Sequence, residues 1–182
     1  MADNKYDEVI VIDLESTCWE TRQEQYMNYS EIIEIGVCRL NVLTSDITDP
    51  RSIIVKPMFS EVSAFCTELT GHTQEGVDQG ISLMRAIEIL KTDYGFKNKM
   101  WASYGNYDRI KLIDECERKN IERPLPPTHL NISALATLKL RANKRVGLGN
   151  ACARFGFKFE GRQHSGMDDA VMAAKVLWEC IK

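Results

Sequence analysis

Residues 9–12 are Val-Ile-Val-Ile, and they run directly into Asp13, Leu14 and Glu15. An unbroken β-branched run predicts a strand over 8–15 that is buried on both faces, and such a strand needs helices on both sides of its sheet. Side chains two apart on a strand share a face, so Asp13 and Glu15 project together while Leu14 points away. Carboxylates that close repel one another at neutral pH unless a cation lies between them. Hard oxygen donors suit Mg²⁺ or Mn²⁺ far better than zinc. Taken alone, the pair is also compatible with a strand end carrying two solvated acids.

The rest of the chain supplies the layers this strand requires. Apolar and β-branched residues predict further strands over 31–41 and 52–57, the latter stopped by Pro57. The short connections suit an antiparallel meander. A loop-rich stretch over 58–80 follows. An amphipathic helix then starts at Ser82, carries Leu83, Ile87 and Leu90 on one face, and ends at Gly95. A strand over 99–105 leads at once into a helix starting near Asn106. Residues 123–129 read as a loop, followed by a short strand, a helix capped by Ser133, and a short helix closed by Gly156. The last helix begins in "HSGMDDA" (164–170), where Ser165 and Asp168 have capping-box spacing. Three strands followed by alternating helix and strand predict an α/β domain with a mixed sheet and helices on both faces. The 182 residues make one domain of ordinary size.

Composition limits the function classes. No apolar run approaches the roughly 20 residues of a membrane span, and "MADNKYDE" lacks the basic flank and apolar core of a signal peptide, so a cytoplasmic protein is expected. The six cysteines show no C-x-x-C spacing, which argues against a structural zinc site or a disulfide framework. Net charge is −3, which disfavours a generic polyanion binder. The charge is uneven, however: seven Lys and Arg against Glu160 alone make 139–162 a basic segment. Such a segment is either a polyanion-facing edge or a solvated face.

Two further acids stand where chemistry collects. Asp108 falls in the first turn of a helix that directly follows a strand, a position that serves a site at a strand end or merely complements the helix dipole. Asp168 has a structural task in the predicted cap. Asp169 has none, and it lies at the edge of the last helix's apolar face. His164, just before that helix, can overhang its first turn, or it is a polar surface residue. The order Asp-x-Glu on the first strand, Asp after a mid-chain strand and His-x₄-Asp on the last helix is far more specific than any one part.

In these motifs, "DLEST" (13–17), "YGNYD" (104–108) and "HSGMDDA", the chain resembles the DEDDh family of 3′–5′ exonucleases, which have a ribonuclease-H-like fold. The resemblance covers nearly the whole chain. "LGNACARFG" is similar to the family as well, and "FCTELTGHTQEGV" resembles its segment beside the substrate's 3′ end, with His72 replacing the usual apolar residue. "DLESTCW", "CTELTG" and "ASYGNYD" resemble the Eri/KapD-like branch most.

The resemblance implies that Asp13, Glu15, Asp108 and Asp169 bind two Mg²⁺ ions, with Mn²⁺ able to substitute, and that His164 is the general base. The family spacing selects Asp169 over Asp168. It implies hydrolysis of the terminal phosphodiester at single-stranded RNA or DNA 3′ ends, RNA favoured, with release of nucleoside 5′-monophosphates. Ser16, Thr17, Leu69, Thr70 and Tyr107 would hold the last nucleotide, by backbone amides and apolar or stacking surface. Trp19 could add to that surface, and the segment 139–162 would track phosphates. Protein partners are not legible. A non-catalytic nucleic-acid-binding regulator that keeps the fold, and a phosphatase of small molecules, are the competing readings.

Overall fold

A computed structural model describes residues 6–122, 126 and 128–182. The strand predicted from the Val-Ile run, β1 (Glu8–Ser16), is the middle of five in the order β3-β2-β1-β4-β5. On one side β2 (Ile32–Asn41) and β3 (Ile47–Ile54) run antiparallel, as the meander requires. On the other, β4 (Met100–Ser103) and β5 (His129–Asn131) run parallel to β1. β3 begins five residues earlier than expected and contains Pro50. A proline without an N–H is tolerated there because β3 is an edge strand.

Alternation along β1 builds two cores. Ile10, Ile12 and Leu14 pack with Ile35, Val37, Ile87, Leu90, Trp101 and Leu112. Val9 and Val11 pack on the opposite face with Cys38, Leu40, Ile132, Cys152, Met172 and Leu177. Each fully buried side chain of this size contributes about 1.5–3 kcal/mol.

The first core is covered by α4 (Leu83–Thr92) and α5 (Tyr107–Arg118), and the second by α6 (Ile132–Lys139), α7 (Leu148–Phe155) and α8 (Gly166–Ile181). Ser82 caps α4 and Gly156 (φ 90°) closes α7, both as the sequence indicates. The cap of α6 is Asn131, whose side chain accepts from the Ala134 N–H. Ser133, expected in that role, is buried and receives Arg145 Nε at 3.0 Å.

Three helices fall outside the sequence reading: α1 (Arg22–Met27), α2 (Ala64–Thr70) and α3 (Gln74–Asp78). The first buries no residue, so it has no apolar stripe, and the other two are too short for a period to emerge. Their caps, Thr21, Ser63 and Thr73, were nonetheless in the sequence. Of the 123–129 loop, residues 123–125 and 127 lie outside the described residues, as does the N-terminal stretch 1–5.

Two features position the site. β1 pairs with β4 only from Val9 to Val11, whereas it pairs with β2 as far as Glu15 and, past a bulge, Ser16. The β4 side of β1 is therefore open beside Asp13, Leu14 and Glu15. In addition, α8 starts against the sheet with almost no gap: a Cβ on Gly36 would lie 1.9 Å from the Gly166 carbonyl. Glycine at 36 is what admits the helix so close.

Candidate active site

Asp13 and Glu15 extend from β1 toward α8, the same face as Val9 and Val11. The close seat of α8 brings Asp169, in its first turn, to them. Glu15, His164 and Asp169 each offer a ligand-type atom within 4.8 Å of one another, a group able to hold a metal ion. Asp108 enters through the gap left by the short β4. Its Oδ1 accepts the Leu14 N–H at 3.0 Å, taking the place of a strand partner. Asp169 Oδ2 accepts the backbone N–H of His164 at 2.8 Å, and His164 adopts φ +61°.

Electrostatics sets these acids apart. Burial raises Asp13 well above the usual carboxylate range, and Asp108, Asp169, Glu15 and Glu34 raise it further. Burial pushes Glu15 up to about 8, helped by Asp169 and Glu34. Asp169 is pushed up to about 6, mainly by burial. Asp108 is raised by burial against the pull of its hydrogen bond from Leu14. Clustered, desolvated carboxylates raised in this way are stabilised by a divalent cation with a preference for oxygen donors, so the residues fit a hard metal.

The N-terminus of α8 departs from expectation. Ser165 has extended N-cap geometry but its side chain caps nothing, so the Ser165–Asp168 box does not form. Asp168 Oδ2 instead accepts the Arg162 N–H at 2.8 Å. The helix amides of Gly166 and Met167 donate to Glu34 on β2 (2.9 and 3.2 Å), which also receives Ser52 Oγ (2.6 Å) and pairs with His72 Nε2 (2.8 Å). The Glu34 carboxylate thus serves the first two amides of α8 as a capping side chain would. Glu34 and Gly36 are structural determinants of the site that the sequence reading overlooked. Their signal was an acid and a glycine inside the otherwise apolar "EIIEIGV".

A cleft of about 750 Å³ is lined by Asp13, Glu15, Asp108, His164, Asp169 and Tyr107, together with Tyr104, Leu148, Asn150, Phe159 and Gln163, which the sequence reading did not single out. Ser16, Thr17, Leu69 and Thr70 are not among the lining residues. Thr17 is fully buried and its N–H donates to the Glu31 carbonyl at 2.8 Å, so that amide is not open to a ligand. The Thr70 hydroxyl donates back to the Cys66 carbonyl. Trp19 accepts Gln25 Nε2 on its backbone carbonyl. Within the basic segment, Arg141, Lys144, Arg145 and Arg154 line one depression, while Arg145, Arg154 and Arg162 also brace backbone carbonyls of Tyr104, Leu140, and Glu68 with Leu69. Among the described residues no helix is long and apolar enough to cross a membrane.

Comparison with known proteins agrees with this geometry. The profile of the RNase_T exonuclease family matches residues 10–177. The chain is 34% identical to ERI1 exoribonuclease 2 of Xenopus laevis over 94% of its own length and 28% of the frog protein's. It is 33% identical to the 3′-5′ exonuclease Snipper of Drosophila melanogaster, covering 93% of this chain and 68% of that one. The crystal structure of the nuclease domain of 3′hExo, a DEDDh family member bound to rAMP, superposes with a TM-score of 0.84 at 29% identity, covering 98% of this chain and 93% of that one. The chain thus spans under a third of the length of the ERI1 exoribonuclease 2 proteins it matches.

Proposed function

The chain belongs to the RNase_T exonuclease family, and on that premise we propose that it is a metal-dependent 3′–5′ exonuclease acting on single-stranded 3′ ends, RNA in preference to DNA, and releasing nucleoside 5′-monophosphates. The observation that carries the reading is the buried acid cluster at the floor of an open cleft, with a histidine at its rim. The preference for RNA leans on the exoribonucleases among the relatives. The lack of disulfides among the six thiols fits a reducing compartment such as the cytoplasm.

Asp13, Glu15, Asp108 and Asp169 would hold two Mg²⁺ ions, which when bound supply Lewis-acid activation of a water and stabilisation of the leaving oxygen. The chain's own residues do the rest. Leu14 N–H fixes the Asp108 carboxylate in the gap beside β1. The imidazole of His164 faces the cleft and takes the proton of the attacking water. Tyr107, Leu148 and Phe159 offer apolar and aromatic surface to the terminal bases, where each stacked base gains about 1–3 kcal/mol.

The test is a 5′-labelled single-stranded RNA and its DNA counterpart, incubated with Mg²⁺ or EDTA. Stepwise shortening with Mg²⁺ alone, faster on RNA, is the expected result. Binding without shortening would instead make the chain a regulator that keeps the fold.

A further inference from the structure

We propose that Arg162 is a positioning residue of this site: its guanidinium ties the turn carrying His164 to the carbonyl end of α2, and so fixes where the imidazole stands. The inference rests on the exonuclease reading for the reaction it serves.

His164 is exposed and adopts a left-handed φ of +61°, a conformation that a side-chain-bearing residue rarely adopts unaided. An exposed ring on an uncommon backbone conformation depends on how firmly the turn beneath it is held. The turn is pinned at two points from α8: Asp168 accepts the Arg162 N–H and Asp169 accepts the His164 N–H, each at 2.8 Å. Both anchors belong to one helix. The third comes from a separate element, where Arg162 Nη2 donates to the carbonyls of Glu68 (3.0 Å) and Leu69 (3.3 Å) in the last turn of α2. Carbonyls at a helix C-terminus lack intrahelical partners and attract a cation.

The surroundings are shaped to this contact. A Cβ on Gly71 would lie 1.8 Å from Arg162 Nη1, so a side chain there would evict the guanidinium. A Cβ on Gly161, at φ +83°, would lie 2.4 Å from Asp168 Cγ, the carboxylate that holds the Arg162 amide. A second link runs parallel: His72, just past α2, pairs with Glu34, which caps α8. That link fixes α2 relative to α8, whereas Arg162 ties α2 directly to the turn that carries His164. Arg162 therefore does not belong with phosphate-tracking cations, although the charge run in the sequence groups it with them.

The experiment compares Arg162→Met, Arg162→Lys and, as a control for charge loss, Arg85→Met at an exposed position of α4 that does not line the cleft. Steady-state hydrolysis of single-stranded RNA, its salt dependence and Mg²⁺ affinity by calorimetry are measured for each. Arg162→Met should lower kcat about 10- to 100-fold, the scale of a slightly misplaced catalytic group, with KM and Mg²⁺ affinity within about threefold of wild type. Arg162→Lys, which keeps a donor for the carbonyls, should recover most of kcat, and Arg85→Met should change little. Unchanged kcat in Arg162→Met overturns the proposal. So does a raised KM with a flatter salt dependence, which would put the guanidinium on a substrate phosphate. Cleavage by a lysine-specific protease at Lys158, without substrate, tests the tie independently of activity: faster cutting in Arg162→Met supports it and equal rates overturn it. If the wild type hydrolyses nothing, the exonuclease reading fails while the protease result still decides the clasp.

Discussion

Replacing Glu34 by alanine should be among the most destabilising single changes in this protein, although Glu34 touches neither solvent nor a predicted substrate. Its carboxylate is 1% exposed and takes four donors. In the alanine variant the amides of Gly166 and Met167 stay at a buried helix start with no acceptor, each at a cost of about 1–3 kcal/mol. Ser52 is exposed and His72 is 19% exposed at its side chain, so both can turn partly to water. Removing one acid also relieves the repulsion felt by Asp13, Glu15 and Asp169. The net loss should be roughly 3 kcal/mol, or about 6–12 °C in Tm for a domain of this size. Thermal unfolding is measured at pH 7 with EDTA, so that metal binding does not mask the change. Glu34→Gln, which keeps one acceptor oxygen, should lose about half as much. Burial alone would raise the Glu34 carboxyl, but the bonds from His72, Ser52 and Gly166 outweigh it and hold the group below its usual value. The stability it confers is therefore present above the unfolded-state pKa and is lost as pH falls through the lower folded value. The gap between wild type and variant should shrink as pH falls below the ordinary glutamate range. A loss under about 2 °C at pH 7, or a gap that does not change with pH, would refute the reasoning.

Asp13→Asn should reduce hydrolysis by more than about 10³-fold and weaken Mg²⁺ binding; titration calorimetry showing wild-type affinity would remove Asp13 from the metal site. His164→Ala should slow turnover about 10²–10⁴-fold with Mg²⁺ affinity nearly intact, and a large loss of affinity would reassign the imidazole as a ligand. Because Glu15 and Asp169 are raised, mainly by burial, to about 8 and about 6, their folded-state contribution is greatest at low pH and is lost as pH rises through those values. Metal-free protein should thus lose Tm between about pH 5 and 8, Mg²⁺ should restore it, and Mg²⁺ binding should release protons. Binding heats independent of buffer ionisation enthalpy would count against that linkage.

The features legible in the sequence were those written in local order. The Val-Ile run, the i,i+2 spacing of Asp13 and Glu15, and a helix starting directly after a strand place the central strand, the shared face and Asp108 without reference to distant residues. What was not legible depends on long-range closure. The Ser165–Asp168 spacing is a sound local signal for a cap, yet Glu34, 132 positions away from Gly166, wins because it offers two oxygens to both amides at once. Asp168 is occupied all the same, by the Arg162 amide rather than by the predicted cap. Thr17 reads as an open loop amide because nothing local shows that Glu31 folds back onto it. The helices over 64–70 and 74–78 escape for the opposite reason: each is only one or two turns, so caps are their whole signature.

The short pairing of β1 with β4 has a consequence for how such a protein can change. The width of the opening beside Leu14 is set by a difference in strand length, since β4 stops pairing at Ala102 while β1 continues to Ser16. Residues added to β4 would zip up against Leu14, and the new backbone carbonyl would compete for the N–H that now holds Asp108. Insertions at 103–106 should therefore erase the centre even if every acid is retained. Around α1, which buries nothing, the chain should accept added length freely. Across descendants of such a fold, variation in length would then gather around α1 and be absent from the junction of β4 and α5.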